Sequence, residues 1–463
     1  MIIKMTRIRK DILNGRIGEQ LLIFFIPVLL TYVLNQLYNT VDAMIVGKYV
    51  GTEALAAVGG STGTSIGLIT NFILGLSSGV TVIVAQYYGR GDEDGVSRAV
   101  KTGFFIAVVF GFIMTLVGLI FVPHMLKLLG VPDDMFPLSK IYMSTFLLGL
   151  IPNLIYNVGA SILRAIGDSK RPLYFLAVCA LVNVFVDYLF VAKLSLGVFG
   201  AALATVIAQV VSALLVIAVF MNSDDCIRFH IRDFGYDRDL LKKTVAIGFP
   251  SGIQTVVYSI SNLYIQSCVN SFGTATIAAY TALDKIDGFF WNFSGALGVA
   301  ISTIAGQNFG AGNIERVHKT VRISSLMYAI GTSIFFTFSY FGAETLNGLF
   351  SSDTEVIAVA TSLVRYLAPR WILFLCIEVL SSTMKACGDV VMPMFISIIG
   401  IAVTRIIYLT FVPFTDVIGA MRCYPISWII TSVAFIIYYF KGSWSQRSRL
   451  LKRSTEALGL IMI

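Results

Sequence analysis

Runs of apolar residues alternate with short polar breaks along almost the whole chain. A helix needs about 20 apolar residues to cross the hydrocarbon core of a bilayer, and most of these runs reach that length. The pattern predicts twelve spanning helices. Six are Leu21–Val46, Glu53–Ser77 (running on towards Gln86), Val96–Val122, Pro137–Leu163, Pro172–Val191 and Val198–Met221. A charged interruption, NSDDCIRFHIRDFGYDRDLLKK, follows. The other six are Thr244–Val269, Ile277–Ala305, Val317–Phe341, Val356–Met384, Met392–Val412 and Val417–Phe440. The expected organisation is an N-terminal segment (1–20), a six-helix lobe (21–221), a linker (222–243), a second six-helix lobe (244–440) and a basic tail (441–463).

Composition narrows the class to an all-α polytopic membrane protein. The chain is 57% hydrophobic and only 13% charged, with mean hydropathy +0.83, which a soluble globular domain does not show. The net charge of +8 does not point to nucleic acid, because Lys and Arg gather in loops and tails. Arg7, Arg9, Arg98, Lys101, Lys170, Arg171, Arg232, Lys243, Arg316, Lys319 and Arg453 all fall on one side of an even number of spans. The positive-inside rule makes that side the cytoplasm and places both termini there, in a plasma or inner membrane. The opening segment MIIKMTRIRKDILNGR reads as polar and basic, without a cleavable signal sequence. Six Cys and three His are scattered, with neither CxxC pairs nor metal-ligand spacing. No Walker or dinucleotide fingerprint follows a strand, so nothing points to an enzyme, an organic cofactor or a nucleotide site. A transporter of this kind would draw energy from an ion gradient.

The chain also repeats itself. VGTEALAA (50–57) echoes FGTATIAA (272–279), QYYGRG (86–91) echoes QNFGAG (307–312), and RAIGD with Pro172 echoes KACGD with Pro393. The same order at an offset of about 221 residues marks an internal duplication, and Pro27 matches Pro250 with a small slip. Six spans per half give both halves one orientation. Such a parallel repeat packs as two bundles about an axis along the membrane normal, with a cleft between them. The Gly-containing turns read as helix ends rather than phosphate sites.

Polar residues inside the apolar runs carry the candidate chemistry. Asn35, Asn39 and Asp42 follow i, i+4, i+7 spacing, so they share one helix face, with Thr31 and Tyr38 close to it. Asp42 is either a functional site facing a wet interior or a carboxylate hydrated near the helix end. Pro27 lies in the same helix, lacks a backbone donor, and reads as a hinge or as a packing feature. Asn183 and Asp187 share a face at i, i+4, and Thr205, Gln209 and Ser212 form a stripe in the sixth span. Asn153, Tyr156, Asn157 and Ser161 form another in the fourth. Two carboxylates with neutral oxygens can share a proton or surround a hard cation such as Na+; stripes of Asn and Thr alone more often just hold helices together. In the second half, Asp42 and Asp187 have no acidic counterparts. Asp284, Lys285, Asp287, Glu378 and Arg405 read mainly as neutralised pairs, Lys285 with a neighbouring Asp and Glu378 with Arg405. The abundant Phe, Tyr and Met suit an adaptable cavity for organic cations.

Taken together, the doubled twelve-span pattern, VDAMIVGKYVGTEALAAVG after Pro27, the AQYYGRGD and GQNFGAGN loops and the RAIGDSKRP and KACGDVVMP turns resemble the multidrug and toxic compound extrusion (MATE) transporters. The chain is most similar to their DinF-like branch. The resemblance implies a proton or cation site in the first lobe at Asp42, Asn183, Asp187 and Thr205, Na+ being one candidate occupant, with Pro27 as the kink. The polar stripes themselves supply the expected substrate cavity: Asn35, Tyr38, Asn39, Asn153, Tyr156, Asn157 and Gln209. The expected function is export of cationic or amphipathic organic compounds from the bilayer-embedded protein, by antiport against H+ or Na+, with no obligate protein partner. The alternative is a flippase for lipid-linked oligosaccharide or polysaccharide precursors. Such a flippase needs a strongly cationic cavity, and the charge buried in the first half is acidic.

Overall fold

In the computed structural model the described residues are 12–223, 226–442 and 444. Of the expected N-terminal segment, 1–11 lie outside them, as does the basic tail except for 441, 442 and 444. Every regular element among the described residues is helical. The helices fall into two compact units: Ile26–Gly252, and Ile12–Phe25 together with Ile253 onward. The unit assignment changes next to Pro27 in the first helix and next to Pro250 in its repeat partner.

The first unit takes α1 (Ile17–Tyr49) from Ile26 onward, then α2 (Thr52–Gly59), α3 (Ser61–Arg90), α4 (Glu93–Leu128), α5 (Phe136–Leu148), α6 (Leu150–Ala165), α7 (Lys170–Asp187) and α8 (Gly197–Met221). Local chemistry sets these ends. Asp92 accepts from the Gly95 N–H at 2.7 Å and caps α4. Gly91 closes α3 in the left-handed region. The fourth expected span is two helices meeting at Gly149 with a 48° bend. A side chain at Gly149 would collide with the Gln209 amide on α8, so glycine permits that approach. A π-helical segment, Tyr188–Lys193, begins immediately after Asp187. Val46, Val58, Tyr142, Val191, Val198 and Ala202 belong to one buried apolar cluster of this unit.

The next helix, α9 (Arg238–Asn270), starts within the first unit. Its Gly248 and Gly252 face Gly75 and Gly79 of α3 so closely that a Cβ at Gly79 would lie 2.5 Å from the Thr244 carbonyl. Small residues four apart let two helix backbones touch. The linker before it is tied to α4: Arg98 pairs with Asp237 at 3.0 Å and Lys101 with Asp233 at 3.6 Å. The N–H groups of Leu240 and Asp239, with Arg98, hold the Asp237 carboxyl below the usual carboxylate range.

The second unit continues with α10 (Thr274–Gly310), α11 (Ile314–Phe341), α12 (Ala343–Gly348), α13 (Thr354–Leu367), α14 (Leu375–Ala386), α15 (Val391–Ser397), α16 (Thr404–Phe411), α17 (Val417–Met421) and α18 (Cys423–Lys441). Its core is aromatic. Phe290 stacks on Trp371 with centroids 4.7 Å apart, and Phe293 and Tyr328 pack on Phe290.

Among the described residues, nine helices are long and apolar enough to cross a membrane, and the bent α5–α6 pair makes ten. The remaining two of the twelve are helical but atypical. The spanning part of α9 carries Gln254, Asn262 and Gln266. The α13–α14 span is interrupted by a 3₁₀ segment, Ala368–Phe374, which contains Pro369. The duplication is written in the backbone as well. Gly51 and Gly273, Gly91 and Gly312, and Gly167 and Gly388 all have positive φ, at separations of 221 or 222 positions. Gly149 plus that offset falls inside Ala368–Phe374, so the same span is broken in both halves.

Candidate functional site

In the first unit Asp42 of α1, Tyr142 of α5 and Asp187 of α7 come together, and α8 packs on α5 and α7. Asp42 is 8% exposed and Asp187, on the last turn of α7, is fully buried. Their carboxyls are close enough for one, once protonated, to donate to the other. With both ionised there is no proton to share: Asp42 Oδ1 and both Asp187 oxygens then have no hydrogen-bond donor. One turn before Asp187, Asn183 is 1% exposed with both amide atoms unpaired. On α8, Gln209 is buried with Oε1 unpaired, and the Thr205 hydroxyl donates to the Ala201 carbonyl at 3.2 Å, leaving its oxygen lone pairs available. A buried polar atom without a partner costs about 1–3 kcal/mol, so this concentration suits an occupant that supplies protons or positive charge. The groups on offer are hard oxygens, which suit H+ or Na+. Among the described residues no group of three or more His, Cys, Asp or Glu forms a metal cluster.

Around this pair stand groups of two kinds. Tyr38, half-buried, lies within Coulombic reach of Asp42, Asp187, Cys179 and Tyr156. Tyr142, from α5 and 7% exposed, lies within reach of Asp42, Asp187 and Tyr38. In the sequence Tyr142 has only the small hydroxyls Ser139 and Thr145 at helical spacing, a signal no stronger than a packing contact, and the fold brings it to the pair. Cys179 donates to the Ala208 carbonyl at 3.3 Å, tying α7 to α8.

The other expected residues are engaged elsewhere. Asn39 donates to Asn35 Oδ1 at 3.1 Å, and both are exposed although they share the helix stripe of Asp42. Asn157 donates to Asn153 Oδ1 at 2.6 Å, and the Tyr156 hydroxyl donates to the Pro172 carbonyl at 3.4 Å; all three side chains are half-buried. Ser212 donates to the Gln209 carbonyl at 2.8 Å. Helix α1 is continuous through Pro27, whose carbonyl accepts from the Thr31 hydroxyl at 2.8 Å.

The second unit has a cavity of about 190 Å³, with Asp284, Asp287, Trp291, Arg405 and Tyr424 in its wall. Asp287 is held by two indoles: Trp291 donates to Oδ2 at 2.5 Å and Trp371 to Oδ1 at 2.7 Å. Arg405 donates to Asn262 at 3.0 Å and to Ser427 at 3.2 Å, and it lies 4.4 Å over the Tyr424 ring. The expected pairing of Glu378 with Arg405 is therefore corrected. The α14 helix aims Glu378 at Ser382, which donates to it at 3.1 Å, while Arg405 finds neutral partners on α9 and α18. Lys285 forms no ion pair with a neighbouring Asp among the described residues; its side chain is exposed.

Comparison with known proteins gives this arrangement its context. The MatE family model matches residues 27–189 and 250–410, one copy in each half. The chain is 27% identical over 440 residues to the probable multidrug resistance protein YoeA of Bacillus subtilis (strain 168), covering 92% of this chain and 94% of that one. It is 24% identical over 463 residues to the probable multidrug resistance protein NorM of Thermotoga maritima, covering 96% of each. A crystal structure of MATE in the bent conformation superposes with TM-score 0.86 at 21% identity, over 97% of this chain and 99% of that chain. An outward-facing multidrug resistance MATE family transporter of the MOP superfamily superposes with TM-score 0.86 at 22% identity, over 96% of this chain and 98% of that one. The twelve-helix, two-lobe fold and both matched halves lead to one assignment: the chain belongs to the MatE family of multi-pass membrane transporters.

Proposed function

We propose that this transporter exports cationic or amphipathic organic compounds in exchange for H+ or Na+, and that the Asp42–Asp187 pair takes up the coupling ion. The observation that carries the proposal is the pair itself: two adjoining buried carboxyls with unpaired oxygens on both. Adjoining like charges in a low-dielectric interior repel strongly and favour binding of one proton or one cation. Asn183 and Thr205 supply the neutral oxygens that a Na+ ion would need beyond the carboxylates. This first-lobe constellation supports placement in the DinF-like branch. Relatives named as multidrug resistance proteins support the substrate class over the flippase alternative.

In the cycle, the outward-open state releases substrate as the pair takes up its ion. Neutralising the pair removes the repulsion within it, and α1 bends at Pro27, where the missing N–H leaves the Ile23 carbonyl without its helical donor. The transporter then passes to a state open to the cytoplasm. Coupling requires the ion to bind one state more tightly, and each tenfold preference is worth about 1.4 kcal/mol. Tyr38, Asn35, Asn39, Asn153, Tyr156, Asn157 and Gln209 are the residues proposed to meet substrate. Both termini are placed in the cytoplasm of a plasma or inner membrane.

The test is efflux of a cationic dye from proteoliposomes under an imposed pH or sodium gradient. Asp42→Asn is expected to bring gradient-driven efflux to background while the protein still inserts. Undiminished efflux by that variant removes Asp42 from the mechanism, and the response of the wild type to sodium against pH identifies the ion.

A further inference from the structure

The second-unit cavity is lined by charges of both signs with no ion pair between them among the described residues. On one wall, Asp284 and Asp287 lie one turn apart on α10. Asp287 is fixed by Trp291 and Trp371, whereas the Asp284 carboxylate is exposed and makes no hydrogen bond or ion pair among the described residues. From α16 comes Arg405, 4% exposed, whose guanidinium has only neutral partners. Its bonds use Nε and Nη1, leaving Nη2 without a hydrogen bond among the described residues. A buried cation without an ion-paired anion is costly, and the opposite charge of Asp287 in the same cavity offsets only part of that cost. A ligand bearing both charges would satisfy both groups at once. Tyr424 and Trp291 also line the cavity and give it an aromatic wall for an apolar body. The volume, about 190 Å³, is below the 300–1,000 Å³ typical of drug-sized pockets and fits a metabolite of amino-acid size.

We propose that this cavity is a second binding site, separate from the Asp42–Asp187 pair, for a small amino-acid-like zwitterion. Its ammonium group lies against Asp284 in the field of Asp287, and its anionic group lies on the free nitrogen of Arg405. Planar carboxylates match guanidinium geometry, so Arg405 reads the anionic end and excludes simple cations of the same size. Asp284, exposed at the cavity, is the group an incoming ammonium meets first.

Equilibrium binding to the purified full-length protein in nanodiscs tests this. Three probes share one body: radiolabelled L-phenylalanine, phenethylamine without the carboxylate, and 3-phenylpropionate without the amine. Phenylalanine is expected to bind tighter than either by about tenfold or more, as charged hydrogen bonds would give. Arg405→Gln is expected to weaken phenylalanine about tenfold and leave phenethylamine within about twofold. Asp284→Asn is expected to weaken both amines and spare 3-phenylpropionate. Equal affinity for phenylalanine and phenethylamine, or no phenylalanine binding, overturns the proposal. The ranking on the wild type decides even if the Arg405 variant fails to fold. No gradient is present in this assay, so its outcome is independent of the coupling role given to Asp42.

Discussion

At the scale of single residues, the chemistry of the first unit depends on two carboxyls 145 positions apart in sequence that adjoin in space. Neither is informative alone. Asp42 shares its stripe with Asn35 and Asn39, yet those two are exposed and bonded to each other while Asp42 is buried. What sets Asp42 apart is the arrival of Asp187 at the end of α7, with Tyr142 coming from α5. Groups that share one ion act as a unit, so their losses are not additive. The Asp42→Asn/Asp187→Asn double variant is accordingly expected to transport no less than the weaker single variant in the same vesicles. Gradient-driven efflux retained by Asp187→Asn while Asp42→Asn stands at background would show instead that the two carboxyls do not act as one site.

At the scale of elements, helices in this fold are joined by the absence of side chains as much as by their presence. Gly75 and Gly79 on α3 meet Gly248 and Gly252 on α9 at backbone contact, and a methyl group there has no free space. Gly67, on the same helix, has nothing within 4 Å of its Cβ position. Gly79→Leu is expected to destabilise the protein by about 1–3 kcal/mol or more, through overpacking against a backbone that cannot yield. Gly67→Ala is expected to be neutral or slightly stabilising, since alanine favours a helix by about 1 kcal/mol over glycine. Thermal unfolding in detergent compares the two, and equal midpoints would refute the close-packing account. Interruptions matter too: Gly149 and the Ala368–Phe374 segment break the same span in each half, so the irregularity belongs to the duplicated unit.

At the scale of the whole molecule, basic residues in alternate loops predict an orientation with both termini in the cytoplasm. A green fluorescent protein fused at either end is expected to fluoresce in cells, and a periplasmic alkaline phosphatase fusion at either end to be inactive; the reverse pattern would invert the topology. The number of spans, their order and the duplication are legible in the sequence, because each follows from local rules. Membrane length fixes a run of about 20 apolar residues, and the matched glycine turns recur at one offset because each must take positive φ. Asp42, Asn183, Asp187 and Thr205 were legible as polar positions in apolar helices, since placing such groups there is costly. Which of them adjoin was not, because side-chain proximity between α1 and α7 has no signature at any spacing along the chain. For the same reason the sequence suggested Glu378 as the partner of Arg405, where the fold supplies Asn262, Ser427 and the Tyr424 ring. The sequence by itself determined how many helices cross the bilayer and that they come in two copies, since those depend on transfer of each segment from water to lipid and on a repeat along the chain. Tertiary structure alone decided which buried charges became neighbours and which were kept apart, since that depends on the rotation and depth at which packed helices settle.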